Sequence, residues 1–325
     1  MHRGAIRRAP FIQAGQMTFT VSADSAGRRL DLLAGERAGL SRRRLNALFA
    51  AGLVRRNGRR APKGTPVAAG DVIEIDDSAF AAAGVEPAAD APLAVVYEDA
   101  DLAVIVKPAG EPTHPNRTGE RGTTANAIVA RWPSARAAGP RPFEPGLVHR
   151  LDTGTSGLLL VALSPPAYRA LRRAFSAGAV EKEYLAVVEG RPPVRGVIDL
   201  PLGHHPKDAR RMVVIGDART RIRGKPYPAA TRFETVRRGT GTALVRVTIE
   251  GGVMHQIRVH LAHAGFPVVG DALYGASTPA PGGRFLLHAS RIALAHPITG
   301  GRLSFESPMP AEFDEALRPA VPALD

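Results

Sequence analysis

Residues 146–163 read GLVHRLDTGTSGLLLVAL. Asp152 stands at the junction between an apolar stretch and a Gly-rich turn, and Gly154 and Gly157 let the backbone bend there. A carboxylate held at a strand edge in apolar surroundings can act as a nucleophile or a base. An Asp in a turn also commonly bonds its own backbone. The chemistry of the segment leaves these two readings level.

Working outward, the run Gly157 to Ala162 reads as a strand leaving the DTGTS turn. Ser164-Pro165-Pro166 caps a helix that runs to about Phe175. Upstream, Ala94 to Tyr97 and Leu102 to Val106 form a hairpin ending at Lys107-Pro108, and a helix starts near Thr124. Downstream, strands recur at Tyr184 to Val188 and Ala243 to Ile249, and a helix from about His255 to Ala264 stops at Gly265. Strands and helices mix without regular alternation, so the predicted class is α+β. Residues 79–92 are rich in Ala and Pro without periodicity and read as a linker. It separates a module at 17–78 from a larger domain at 93–320.

In the smaller module, Leu30, Leu32, Leu33 and Leu40 are candidates to bury a first helix. Ser41 is an N-cap for a second helix over Arg42 to Ala51, which Gly52 ends. Asn57-Gly58 and Gly70-Asp71 mark turns, the latter before the alternating Val72-Ile73-Glu74-Ile75. Arg42, Arg43 and Arg44 open the second helix, where cations oppose the helix dipole. That placement, with Arg55, Arg56, Arg59 and Arg60 on the hairpin, makes better sense beside phosphates than as a merely solvated face. The stretch SRRRLNALFAAGLVRRNGRRAPKGTPVAAGDVIEI resembles the S4 RNA-binding domain.

The whole chain has 325 residues, with 43 Lys plus Arg against 30 Asp plus Glu, a formal charge of +13 that suits a polyanionic partner. The absence of Cys removes disulfides and thiolate metal sites, and fits a reducing cytoplasm. No apolar run approaches the roughly 20 residues of a membrane helix. Residues 1–16 carry Arg3, Arg7 and Arg8 without an apolar core and read as a disordered basic tail, with Met17 an alternative start.

Two rival chemistries fail on residue inventory. DTGTS is also the aspartic-protease signature, but that reaction needs a second such carboxylate loop, and no other Asp-Thr-Gly or Asp-Ser-Gly occurs. His255, His260 and His263 have a suggestive spacing for metal, yet no Cys or nearby carboxylate completes a set and Arg258 would repel a cation. No metal is expected.

HRLDTGTSGLLL resembles the signature of the RluA family of pseudouridine synthases. VVYEDADLAVIVKPAGEPTHP, EKEYLAVVEG, MHQIRVHLAHAGFPVVGDALYG and FLLHASRIALAHPITG resemble four further family segments, in order, between residues 95 and 310. The resemblance implies a curved mixed, largely antiparallel sheet with flanking helices and an RNA-binding cleft, joined here to a small S4-like α/β domain. It also implies isomerisation of uridine to pseudouridine without a cofactor.

By resemblance, Asp152 is the catalytic carboxylate, Tyr184 lies against the target uracil and Arg258 pairs with the Asp. Arg150 matches the residue that fills the space left by the flipped uridine, and His149 adjoins it. Lys107, ending a strand beside Pro108, is a candidate structural residue or phosphate contact, while Lys182 is a candidate partner for a surface acid. The segment GHHPKDARRM, with His204, His205, Lys207 and Arg210, resembles an RNA-clasping insertion. One departure stands out: the family's Gly-Arg-Thr is Gly252-Val253-Met254 here. The expected partner is ribosomal RNA of the large subunit or a ribosome precursor, with transfer RNA as the alternative substrate. A non-catalytic RNA-binding or assembly protein is the alternative class. A cytoplasmic monomer is expected.

Overall fold

The computed structural model describes residues 11–13, 16–38, 40, 42–76, 84–117 and 119–318. It divides into two compact units, Met1–Gly84 and Val85–Asp325.

The first unit joins β1 (Phe11–Gln13), β2 (Gln16–Thr20), α1 (Leu30–Ala38), α2 (Arg42–Ala51), β3 (Val54–Arg56), β4 (Arg59–Arg60) and β5 (Val72–Asp76). The strands order as β1-β2-β5-β3-β4, with every pairing antiparallel. β1 pairs with β2 from Phe11↔Thr18 to Gln13↔Gln16, which corrects the expectation of an unstructured tail through residue 16. Asn57 at φ 52° and Gly58 at φ 75° make the tight turn between β3 and β4. Leu30, Leu33, Leu45 and Leu48 close the core beneath the sheet. Leu32 is 59% exposed, contrary to expectation, because a helix buries one stripe and Leu32 lies off it. Ser41 lies outside the described residues, as do the side chains of Arg43 and Arg44.

The second unit carries a nine-stranded sheet. Its strands are β6 (Ala94–Glu98), β7 (Leu102–Lys107), β8 (Ser156–Ala162), β9 (Glu181–Glu189), β10 (Arg195–Asp199), β14 (Ala230–Arg238), β15 (Thr242–Glu250), β16 (Leu287–Ala295) and β17 (Arg302–Glu306). The order is β10-β14-β15-β9-β16-β8-β7-β6, with β17 also on β16. The β8–β16 pair is parallel and the other pairs are antiparallel, giving the mixed, largely antiparallel sheet of an α+β fold. Helices α3 (Thr124–Arg131), α4 (Ala135–Ala138), α5 (Pro165–Ser176), α6 (Gln256–His263) and α7 (Ala311–Leu317) flank it.

All seven residues of β8 are buried. Strand alternation explains why its sequence is a continuous apolar run. Leu158, Leu160 and Ala162 enter one core with Leu102 and Val104, while Leu159 and Val161 enter the other with Ala103 and Ile105. A strand with a core on each face has no polar side. The expected linker is also shorter than 79–92. Val85 is buried in the core, Ala88 N donates to Asn126 O at 3.1 Å and Asn126 Nδ2 donates to Glu86 O at 2.7 Å. The segment from Val85 is thus packed on α3. Residues 77–83 lie outside the described residues. GHHPKDARRM folds into part of a small separate sheet, β12-β11-β13, made of β11 (Leu202–His204), β12 (Met212–Val214) and β13 (Arg223–Tyr227).

Candidate active site

Asp152 occupies the turn that feeds β8. The turn closes on itself through Thr155 N to Asp152 O at 3.0 Å. Residues 107–113 brace it: Thr113 Oγ1 donates to Leu151 O at 2.7 Å and Gly110 N to Thr153 O at 2.8 Å. Lys107 is fully buried, and its ammonium donates to the carbonyls of Pro108 at 2.5 Å, Glu111 at 2.7 Å and Thr153 at 3.3 Å. Burial lowers its pKa to about 8. Of the two readings of Lys107, this geometry favours the structural one: all three of its donors are turned inward and pin the Asp152 turn.

The glycines of this turn act differently from each other. Gly157 has φ 110°, a conformation that favours glycine. Gly154 is not in that region. A Cβ there would meet the Phe285 ring at 2.6 Å, so its small size serves packing and not bending.

α6 brings Arg258 to the carboxylate. Arg258 Nη1 donates to Asp152 Oδ2 at 2.9 Å. Its remaining fork holds Asp271, with Nε to Oδ2 at 2.6 Å and Nη2 to Oδ1 at 2.9 Å. The Arg258 and Asp271 side chains are 6% and 1% exposed, whereas Asp152 keeps 26% of its side chain open to solvent. Burial opposes the charge on Arg258, but hydrogen bonds and charges from Asp271 and Asp152 outweigh it and raise its pKa. The guanidinium carbon lies 4.0 Å from the Phe285 ring centroid and 5.2 Å from that of Tyr274.

Tyr184 faces the same narrow cavity of about 70 Å³ as Asp152 and Arg258. The register explains this meeting, since Ala289 of β16 pairs with Gly157 on one side and Tyr184 on the other. Burial, then the charge of Asp152, raises the Tyr184 pKa, so the phenol stays protonated. His255 is the N-cap of α6 at φ 56°. Its Nε2 lies 3.9 Å from Asp152 Oδ2, and its Nδ1 shares a 2.9 Å hydrogen bond with the Tyr274 hydroxyl. Burial lowers the His255 pKa although Asp152 pulls the other way. The site therefore sets the Asp152 carboxylate beside a neutral phenol, with one guanidinium fixing the carboxylate.

Asp271, Tyr274 and Phe285 were not singled out from the sequence. A buried Arg demands a counter-charge, and the Gly270-Asp271 step shortly after α6 was the available signal. Val253 and Met254, where the family's Arg and Thr were absent, pack beside Leu202, Met212 and Val259. His260 uses both ring nitrogens, on Thr231 Oγ1 at 2.8 Å and Leu200 O at 3.0 Å. Among the described residues no group of three or more His, Asp or Glu side chains is placed to hold a metal, and no helix is long and apolar enough to cross a membrane.

The expected RNA contacts fall into distinct settings. Exposed Arg150 lies 3.5 Å from His114 Nε2 through Nη1 and borders the Asp152 cavity. His149 is half-buried, with Phe175 stacked at 4.8 Å, and its Nε2 accepts Leu160 N–H at 2.9 Å. Burial lowers its pKa to about 3, so it is neutral and supports β8 from the cavity wall. Arg42 and Arg55 are exposed. Half-buried His204 meets Tyr227 edge-on at 5.8 Å, while His205 Nδ1 accepts Asp208 N–H at 2.9 Å. Lys207 is exposed, and exposed Arg210 pairs with Asp208 at 3.1 Å.

Comparison with known proteins supplies the class. The family described as RNA pseudouridylate synthase matches residues 101–263, which span the Asp152 turn, β9 and α6. The chain belongs to the RNA pseudouridine synthase family. It is 39% identical over 318 residues to an uncharacterized RNA pseudouridine synthase of Chloroflexus aurantiacus, covering 94% of each chain. It is 34% identical over 320 residues to the ribosomal large subunit pseudouridine synthase D of Escherichia coli O157:H7, again covering 94% of each. Among solved structures, human RNA pseudouridylate synthase domain containing 1 is similar at a TM-score of 0.53 and 27% identity, over 69% of this chain and 86% of that one.

Proposed function

We propose that this enzyme isomerises a uridine of large-subunit ribosomal RNA, with Asp152 as its nucleophile. The observation that carries the chemical part is the Arg258–Asp152 pair at 2.9 Å, in a cavity that Tyr184 shares. The reaction breaks the N1–C1′ bond, turns the uracil and joins C5 to C1′, so it needs a charged carboxylate and a nearby proton carrier. Arg258 holds and orients the Asp152 carboxylate, and protonated Tyr184 lies against the uracil to hold or move a proton. The base is out of reach inside a helix, so the nucleotide flips out at a cost of a few kcal/mol, and Arg150 fills the vacated space.

The substrate class is supported by similarity to the ribosomal large subunit synthases, and by the +13 charge. The first unit serves as an S4-like RNA-binding module, with exposed Arg42 and Arg55 among its phosphate contacts. The proposal has the enzyme working in the cytoplasm as a monomer. Two measurements test it. Pseudouridines are mapped in ribosomal RNA from cells with and without the gene, and a large-subunit position is expected to disappear. Asp152→Asn, close to isosteric, is expected to abolish tritium release from C5-labelled RNA while RNA binding stays near wild type. Turnover within about tenfold of wild type (about 1.4 kcal/mol of barrier) would refute Asp152 as nucleophile.

A further inference from the structure

Lys182 precedes Tyr184 by two residues on β9, so strand alternation puts both side chains on one face, about 7 Å apart along the strand. The adjoining acids are engaged elsewhere. Glu181 is held by Arg302 at 2.9 Å and Arg291 at 3.5 Å, and Glu183 by Arg246 at 3.1 Å. The expected surface acid for Lys182 is therefore missing: among the described residues it has no hydrogen bond or ion pair. Its ammonium lies 5.6 Å from the Phe175 ring centroid. It is half-buried, and burial lowers its pKa with no carboxylate near enough to offset the loss of water.

A cavity of about 440 Å³ opens beside this lysine. Arg150, Arg172, His149, Phe175 and Tyr184 contribute to its walls. Arg150 and Tyr184 also border the narrow cavity of Asp152, so the two spaces adjoin. One carboxylate, Glu144, lines the larger cavity, and Arg141 holds it at 2.7 Å. Arg172 uses one nitrogen on Val148 O at 2.8 Å and keeps the rest of its fork. The walls thus carry more cations than anions, around an ammonium stripped of part of its hydration and left unpaired. Such a group is costly unless an anion arrives.

We propose that this cavity is a phosphate subsite for the substrate RNA, in which Lys182 receives the backbone phosphate of a nucleotide beside the target uridine. By fixing that phosphate, Lys182 sets which uridine along the strand reaches Asp152. The flat His149–Phe175 wall and the open fork of Arg172 complete the cradle. The proposal rests on the reading of the chain as an active synthase.

The test uses the full-length protein and a short RNA carrying the mapped uridine, with single neutral methylphosphonates placed at successive positions around it. Wild type is expected to lose about tenfold in affinity at one position within two nucleotides of the target, as for a charge-assisted hydrogen bond. Lys182→Gln is expected to bind the unmodified RNA about tenfold more weakly and to be insensitive to the methylphosphonate at that position. Its salt dependence should fall by about 0.7–0.9 in log–log slope, for one fewer phosphate neutralised. Lys182→Arg should keep both the slope and the sensitivity. A Lys182→Gln protein with the wild-type slope and the wild-type methylphosphonate response overturns the subsite. A wild-type scan without a sensitive phosphate near the target overturns it without any variant. Wild type that forms no pseudouridine in any ribosomal RNA overturns the parent reading and the subsite with it, so the two failures are distinguishable.

Discussion

Arg258 gives Asp152 a single hydrogen bond at 2.9 Å, while its other two hydrogen bonds, at 2.6 and 2.9 Å, go to Asp271. The guanidinium is thus anchored through Nε and Nη2 by a carboxylate that is almost fully buried, and presents its third nitrogen, Nη1, to one that is partly open. A planar fork with donors on three nitrogens suits this division, and a point charge does not.

Arg258→Lys is therefore expected to lose at least about 100-fold in turnover, because one ammonium cannot span both carboxylates. It should also destabilise the fold by about 3 kcal/mol, since Asp271 would remain buried without its bidentate partner. Asp271→Asn keeps Asp152 and Arg258 but loosens the anchor, and should cost about tenfold in turnover. Single-turnover rates at saturating RNA, with denaturant unfolding, check both. Wild-type behaviour of Asp271→Asn in the two assays would show that the anchor is unimportant.

Burial of Lys107 makes the stability of the fold depend on pH. Its folded pKa of about 8 lies below the ordinary value of 10.5, so between these the unfolded chain binds more protons than the folded one. Stability from this group therefore rises with pH across about 8 to 10.5 and is flat below 8, with a slope of at most about 1.4 kcal/mol per pH unit. Lys107→Met should remove that slope and destabilise the protein by about 3 kcal/mol at neutral pH, because three carbonyls lose a charged donor. The difference between wild-type and variant unfolding energies at pH 7, 8, 9 and 10 is the measurement. A constant difference would contradict the assignment.

These two lysine and arginine sites show where sequence reading stops. The helix Arg42–Ala51 and the strand β8 were legible because Gly52 and an unbroken apolar run are local signals. The class of the sheet was legible through family-like segments. Asp271 was not, because its role depends on the chain returning to α6 after a turn, and no local pattern encodes that return. For Lys107 the sequence left a structural role and a phosphate contact level, although lysines are mostly exposed. Its burial depends on the loop 108–113 and the Asp152 turn folding over it. The pairing of β16 with β8, in which His288 meets Ser156, joins residues too far apart for periodicity to reveal.

The Val85 contacts decide where the second unit can be made to start. A chain starting at Gly84 keeps Val85 in the core and the Glu86–Asn126 hydrogen bond, whereas a start near Ala91 removes both. The longer form is expected to fold and to modify its RNA at high concentration. If the first unit contacts phosphates as proposed, the salt dependence of this form should be shallower than that of the full chain. An equal log–log slope for the two folded proteins would count against a role for that unit in RNA binding.

Gly154 and Gly157, the two glycines of the Asp152 turn, differ in what a side chain would meet. At Gly157 a Cβ would lie 2.2 Å from Ala289 O and 2.7 Å from Ala289 N, both backbone atoms of β16, on a residue at φ 110°. Gly157→Ala therefore meets backbone strain and a clash with atoms fixed by the sheet, and relief requires β8 and β16 to part at their parallel register. The expected cost is about 3 kcal/mol or more, with loss of turnover because the Asp152 turn moves with β8. At Gly154 the Cβ would instead meet Phe285 Cε1 at 2.6 Å, a side-chain atom that can shift. Gly154→Ala should cost only about 1–2 kcal/mol in stability. Phe285 also packs 4.0 Å from the Arg258 guanidinium, so displacing its ring disturbs the hold on Asp152. Gly154→Ala is thus expected to lose turnover out of proportion to stability, whereas Gly157→Ala loses both. Thermal unfolding and single-turnover rates of the two variants decide it, and a Gly154→Ala protein less stable than Gly157→Ala would reverse the assignment.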